Sequence, residues 1–210
     1  MKNFLIRQWY NISVYVTGFL GLVLAVGNWS LEGKLILAST IFIFLHFFEE
    51  FGFPGGFPWV AIKVELKLEE DDATKWELNS LSTWFGNWWF ALAVYILALL
   101  LPGVKFLTLA VFLFAFAELL MHGIFFPVSL KKIYNPGLSS TVIGLVPLSL
   151  VFFSQTSLSF TWLDFLLAIV WIGFNYWFAF QSPIYKALGK QSDRYAFSKE
   201  EVYRAKPYMK

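Results

Sequence analysis

The chain has no cysteine, only two histidines among 210 residues, and only 14% charged residues. Without cysteine, disulfides, thiolate nucleophiles and thiolate metal ligands are excluded. The shortage of charge excludes an ordinary soluble domain, where charged residues run near ~25%. A net charge of +2 is too small to suggest a nucleic-acid partner. What fills the space is apolar: 58% of residues are hydrophobic and 21% aromatic. Several runs approach the ~20 residues a helix needs to cross ~30 Å of hydrocarbon. The expected fold is all-α, a polytopic membrane bundle of about six transmembrane helices in contact with membrane lipid.

The spans read as Trp9–Val26, Leu35–Glu50, Trp84–Leu101, Val104–Phe126, Leu138–Phe153 and Phe160–Phe180. This gives one bundle over residues 1–180 and a basic tail over 181–210. Lys2 and Arg7 precede the first run as in a signal peptide, but no convincing cleavage pattern follows, so it is read as an uncleaved first span. The second and fifth spans are short and call for thinning, tilt or burial within the bundle. Of the 16 lysines and arginines, only Lys34 and Lys105 fall on the far side of such a six-span topology. The positive-inside rule therefore predicts that both termini are cytoplasmic. Tryptophans near both predicted boundaries fit the interfacial belt.

One connection is long, residues 51–83. Phe53-Pro54-Gly55-Gly56-Phe57-Pro58 cannot continue a helix. Ile62 to Glu69 then alternates apolar and polar residues, which predicts a short amphipathic strand or a segment lying on the bilayer. Glu69-Glu70-Asp71-Asp72 reads as a solvated acidic turn.

Ionisable groups inside lipid are costly, so those that persist usually serve function or pair with one another. Chain direction brings nearly all of them to one layer at the cytoplasmic ends of the spans. His46, Glu49 and Glu50 end the second span, Glu118 and His122 lie in the same half of the fourth, and Asn87, Asn135 and Asn175 fall at similar depth. Residues three and four apart share a helix face, so each of two helices presents a histidine with a carboxylate. Such pairs are a recipe for a metal site in a bundle. Imidazole with carboxylate suits zinc first, with iron or manganese as alternatives. A Glu–His hydrogen-bonded clamp between helices is the structural alternative.

His46-x-x-Glu49-Glu50 with Phe51-Gly52-Phe53-Pro54-Gly55-Gly56-Phe57, followed by Glu118-x-x-x-His122 and Tyr134-Asn135-Pro136-Gly137-Leu138, resembles the HXXEE domain family of bacterial membrane proteins over about residues 46–147. The resemblance implies that these motifs form one site comprising His46, Glu49, Glu50, Glu118, His122 and Asn135, with the Pro-Gly-Gly turn at its entrance. It also implies a bacterial inner membrane. It lends little about function, because the family is essentially uncharacterised.

The expected activity is an intramembrane, metal-dependent enzyme of hydrolase type, acting on a lipidic or apolar substrate from the cytoplasmic leaflet. His46, His122, Glu118 and one of Glu49 or Glu50 are the expected ligands of a divalent metal, with the other glutamate as general acid or base. Asn135 and Asn87 are expected to orient substrate, with Gly55, Gly56 and Asn175 also on the substrate side. The alternatives are a metal-free acid–base isomerase or hydratase of a sterol- or isoprenoid-like substrate, and a cation transporter using the same layer. No internal repeat argues for transport by a monomer, although a homo-oligomer could supply the symmetry.

Overall fold

A computed structural model describes residues 2–209, and among them it is all helix, with no strand. Six helices among these residues are long and apolar enough to cross a membrane: Trp9–Val26, Leu31–Phe51, Ser80–Leu100, Lys105–Leu130, Leu138–Gln155 and Trp162–Gly189. They mark an integral membrane protein and are called the first to sixth spans below.

Local chemistry sets their ends. The second span starts at Leu31, a turn before the apolar run begins, because Ser30 caps it by accepting from the Gly33 N–H at 3.1 Å. The third starts at Ser80, behind a reciprocal cap between Asn79 and Ser82. Pro127 and Pro147 sit inside the fourth and fifth spans, where each removes a backbone donor. A wider π turn directly precedes the helical segment holding each proline, Met121–Phe125 in one and Thr141–Leu145 in the other, and carries the helix past it. The sixth span breaks at Ser182, whose extended backbone (φ −65°, ψ 161°) caps the short continuation Pro183–Gly189.

Half of the second span's most apolar window is buried, and 44% of the third's and fourth's, against 17% for the first and sixth. The second and fourth spans are thus interior helices, packed on each other and on the third and fifth. An interior helix can keep an ionisable side chain away from lipid, and these two carry every histidine of the chain.

Both termini meet at one end of the bundle. Tyr10 donates to Glu201 (2.8 Å) and Arg194 donates to Asn3 (2.7 Å). The segment after residue 181 folds against this end and buries Phe197, Ala205 and Tyr208. Arg204 reaches the carbonyls of Phe51 and Gly52, which close the second span and lack helical partners.

The expected strand over Ile62–Glu69 is corrected by the structure. Phe57–Val60 and the π turn Ala61–Glu65 form a short helical segment, and the chain then runs out through an unpaired stretch. A strand needs a neighbour to satisfy its ladder, and the loop offers none. Pro58 instead sits in the first turn of a helix, where its missing N–H costs nothing. The acidic turn is solvated as expected: Lys63 pairs with Asp71 at 2.6 Å and Lys75 with Glu70 at 3.1 Å.

Candidate functional site

Near the end of the bundle that holds the termini, four side chains from the second and fourth spans point at one spot. His46 Nε2 lies 3.5 Å from Glu50 Oε1 and 3.4 Å from Glu118 Oε2. His122 Nε2 lies 3.6 Å from the same Glu50 oxygen and 3.3 Å from the same Glu118 oxygen. The four atoms therefore form a closed ring in which nitrogen and oxygen alternate. His46, Glu50 and His122 are buried, and Glu118 is nearly so.

The far sides of the imidazoles fix what they present to the ring. Asn135 donates its amide to the His122 carbonyl at 2.8 Å, which turns its Oδ1 toward His122 Nδ1 at 2.7 Å. His122 Nδ1 must therefore carry the proton and donate it. His46 Nδ1 donates to Ser140 Oγ at 3.0 Å, because that hydroxyl spends its own proton on Glu49 Oε2 at 2.6 Å. As neutral rings both then turn Nε2 lone pairs toward the two carboxylate oxygens, and as imidazoliums both donate Nε2–H to them. Two buried carboxylates facing two imidazoles can be balanced by protons on the rings or by a bound metal ion. The ligand atoms of His46, Glu118 and His122 lie within 4.8 Å of one another, close enough for one ion, and Glu50 stands outside that group of three.

The fifth span supports the ring from behind. Gly137 opens it in a left-handed conformation (φ +103°), and a Cβ there would stand 2.7 Å from both His122 Nδ1 and His46 Cε1. Glycine is required twice over, for its φ and for its missing side chain. Glu49 does not face the ring. It accepts from the Ser139 N–H (2.9 Å), the Ser140 N–H (2.8 Å), the Ser140 hydroxyl and the Tyr134 hydroxyl (3.0 Å). It thereby anchors the N-terminus of the fifth span, where a carboxylate is favoured.

In front of the ring lies a cavity of about 750 Å³, walled by the second, third, fourth and sixth spans and by the 57–78 segment. That volume suits a drug-sized or lipidic molecule. Its deep walls are apolar and aromatic, among them Ile43, Phe47, Phe57, Phe90, Phe114 and Phe126. Asn87 faces it and donates to the Thr83 carbonyl at 2.9 Å. Glu65 lines the same cavity and accepts from the Tyr176 hydroxyl at 3.0 Å. Burial pushes the Glu65 carboxyl above its ordinary range, and Glu50 and Glu118 add to that push.

The sequence of this site has counterparts elsewhere. Residues 37–152, more than half of the chain, match the sequence model of proteins of unknown function with an HXXEE motif. The chain belongs to this family. No curated protein and no solved structure matches it. The matched HXXEE region holds the whole ring together with Asn135, Gly137 and Ser140.

Of the residues singled out from sequence, His46, Glu50, Glu118 and His122 meet in the ring. Asn135 stands directly behind it and Glu49 one hydroxyl further out. Asn87 reaches the cavity. Asn175 does not: its Oδ1 accepts from Trp89 Nε1 (3.1 Å) and its Nδ2 donates to the Trp171 carbonyl (2.9 Å), so it clamps the third and sixth spans. Gly55 and Gly56 also stand outside the cavity lining. Both take positive φ, and a Cβ on Gly56 would lie 2.9 Å from the Ala205 nitrogen, so this turn packs on the tail. Ser140, Tyr134, Glu65 and Tyr176 were not anticipated. Ser140 lies in the first turn of the fifth span, a position that sequence alone does not tie to either histidine. Glu65 was hidden inside the alternation read as a strand.

Proposed function

We propose that this protein is an intramembrane enzyme, metal-dependent and of hydrolase type, acting on a lipidic or apolar substrate. The observation that supports this reading is the closed ring of two Nε2 atoms and two carboxylate oxygens at one side of an apolar-walled cavity. His46, Glu50, Glu118 and His122 would hold the ion, zinc before iron or manganese. A bound divalent ion supplies a water acidified toward neutral pH and a Lewis acid for a carbonyl or phosphoryl oxygen. The protein's part is to fix both imidazole tautomers through Ser140 and Asn135 and to exclude bulk water with phenylalanine walls. Asn87 offers its side-chain carbonyl to a substrate donor.

The excess of lysine and arginine on the side of both termini supports a site that opens to the cytoplasmic face, and the HXXEE family supports a bacterial inner membrane. Elemental analysis of the purified protein tests the central claim. The expected result is about one equivalent of metal per chain, lost in His122→Ala and in Glu118→Gln. Folded protein that carries no metal and takes up no added zinc would overturn it. Shared protons would then fill the ring, and the metal-free acid–base isomerase or hydratase would be the better account, because the same four acceptors can share protons. Uptake of a divalent cation into proteoliposomes, abolished by Glu50→Gln, would instead favour transport.

A further inference from the structure

The cavity in front of the ring carries charge of one sign. Its lining includes six glutamates and two lysines, a formal −4 with neutral imidazoles, in a chain whose net charge is +2. Both lysines, Lys75 and Lys186, are exposed at the mouth, and Lys75 is already paired with Glu70. A divalent ion in the ring would cancel Glu50 and Glu118 and leave the rest. Of that remainder Glu65, half-buried in the wall, is the carboxylate held by the 57–65 helical segment. Among the described residues no cation pairs with it, its one hydrogen bond comes from the neutral Tyr176 hydroxyl to Oε1, and Oε2 receives none. Asn87 gives one of its two amide N–H groups to the Thr83 carbonyl, and its side-chain carbonyl adds an acceptor to the same surface.

We infer that the cavity takes a cationic amphiphile, a molecule with an apolar body and a basic or quaternary nitrogen, whose charge is held by Glu65. This rests on the reading of the cavity as a substrate chamber and names the substrate class. The apolar part follows from the walls, which would strip a small hydrated ion of its shell without replacing it. The cationic part follows from the excess of carboxylates over lysines in the lining, where a neutral donor gains a hydrogen bond and a cation gains the field as well. Phenylalanine faces along the walls add attraction for an alkylammonium. An anionic amphiphile meets net repulsion from the same lining.

The test compares dodecyltrimethylammonium, dodecylamine, dodecanol and dodecanoate, which share a chain and differ in the head. Binding is followed by tryptophan fluorescence, Trp76 being in the cavity wall, in nanodiscs of zwitterionic lipid with empty discs as blank. The two cations are expected to bind about tenfold more tightly than the alcohol, and the carboxylate more weakly than the alcohol. Glu65→Gln is expected to erase the preference for cations while leaving dodecanol binding and metal content unchanged. A flat or reversed ranking overturns the inference, and so does a preference that survives in folded Glu65→Gln. If that variant does not fold, the ranking in the unaltered protein decides alone. A preference confined to the primary amine also overturns it, because only that probe has a lone pair for a metal. Elemental analysis of the same samples separates the two claims. Metal without a cation preference leaves the enzyme reading standing and removes this one, and a cation preference in metal-free protein does the reverse.

Discussion

The two ends of the bundle spend their polar residues in opposite ways. At the end remote from the termini, Asp164 caps the sixth span with Thr161, Glu32 accepts from Thr156 at 3.1 Å, and Lys105 donates to the Ser159 carbonyl at 2.9 Å. These groups lie at the ends of the spans, none is buried, and each is matched to a donor or acceptor beside it. At the other end His46, Glu50 and His122 are at most 5% exposed, and the ring is completed only across two spans. Polar groups satisfied locally hold helices in place. Buried ionisable groups gathered into one ring from separate helices are what a ligand site requires.

The sharpest way to break that contrast is Gly137→Ala. The added methyl must occupy space held by both imidazoles, on a backbone at φ +103° that alanine adopts only with strain. Both rings must turn, so zinc affinity is expected to fall on the order of 100-fold or more. Competition with a chelating dye on purified protein measures it. Gly103→Ala, in the loop at the remote end with open space around it, is the control and is expected to leave zinc affinity unchanged. Equal affinity in the two variants would remove Gly137 from the support of the ring.

Glu49→Gln and Glu50→Gln separate two neighbours that sequence could not tell apart. Glu49 accepts four hydrogen bonds, and glutamine would turn an amide toward one of these donors. Glu49→Gln is expected to cost about 2–3 kcal/mol of stability, the scale of a bond to a buried charge, seen as a lower thermal midpoint. Glu50→Gln should remove metal with less effect on stability, since it relieves two crowded carboxylates. A reversed pattern would exchange the two roles.

Asn135→Ala removes the acceptor that holds the His122 tautomer, while leaving the ring itself in place. Loss of such an orienting partner typically lowers metal affinity by about 10–100-fold. Asn175→Ala, which breaks a clamp of similar chemistry outside the cavity, is expected to lower the thermal midpoint and leave metal affinity alone.

These variants also mark what the sequence could and could not disclose. Six spans were readable because lipid demands long apolar helices, and the ring was readable because histidine and glutamate in such helices need a reason. Starts at Leu31 and Ser80 were missed by a turn, since serine and asparagine lead-ins look like loop until their caps form. Spacing put Glu49 and Glu50 equally near His46, and only the packing of the fifth span decides which one turns away. Asn175 shared its depth with the site but faces the third span, which depth alone does not reveal. Glu65 belonged to a two-residue alternation that was read as a strand. With no partner strand, the chain instead coils so that Glu65 and Tyr176 meet.

The smallest effect belongs to the remote end. Thr161→Ala removes a hydroxyl that accepts from the Asp164 N–H at 3.3 Å and donates to the Asp164 carboxylate at 2.8 Å. Asp164 still accepts from the Thr161 backbone N–H at 2.8 Å, so half of the reciprocal cap survives. Losing a Thr N-cap typically costs about 0.5–2 kcal/mol, and the retained half places the expected loss near the lower bound. Metal content and the ranking of amphiphile heads should not change, because nothing at this end reaches the ring or the large cavity. A change in either would mean that the two ends are coupled through the sixth span, which runs from this cap to Tyr176.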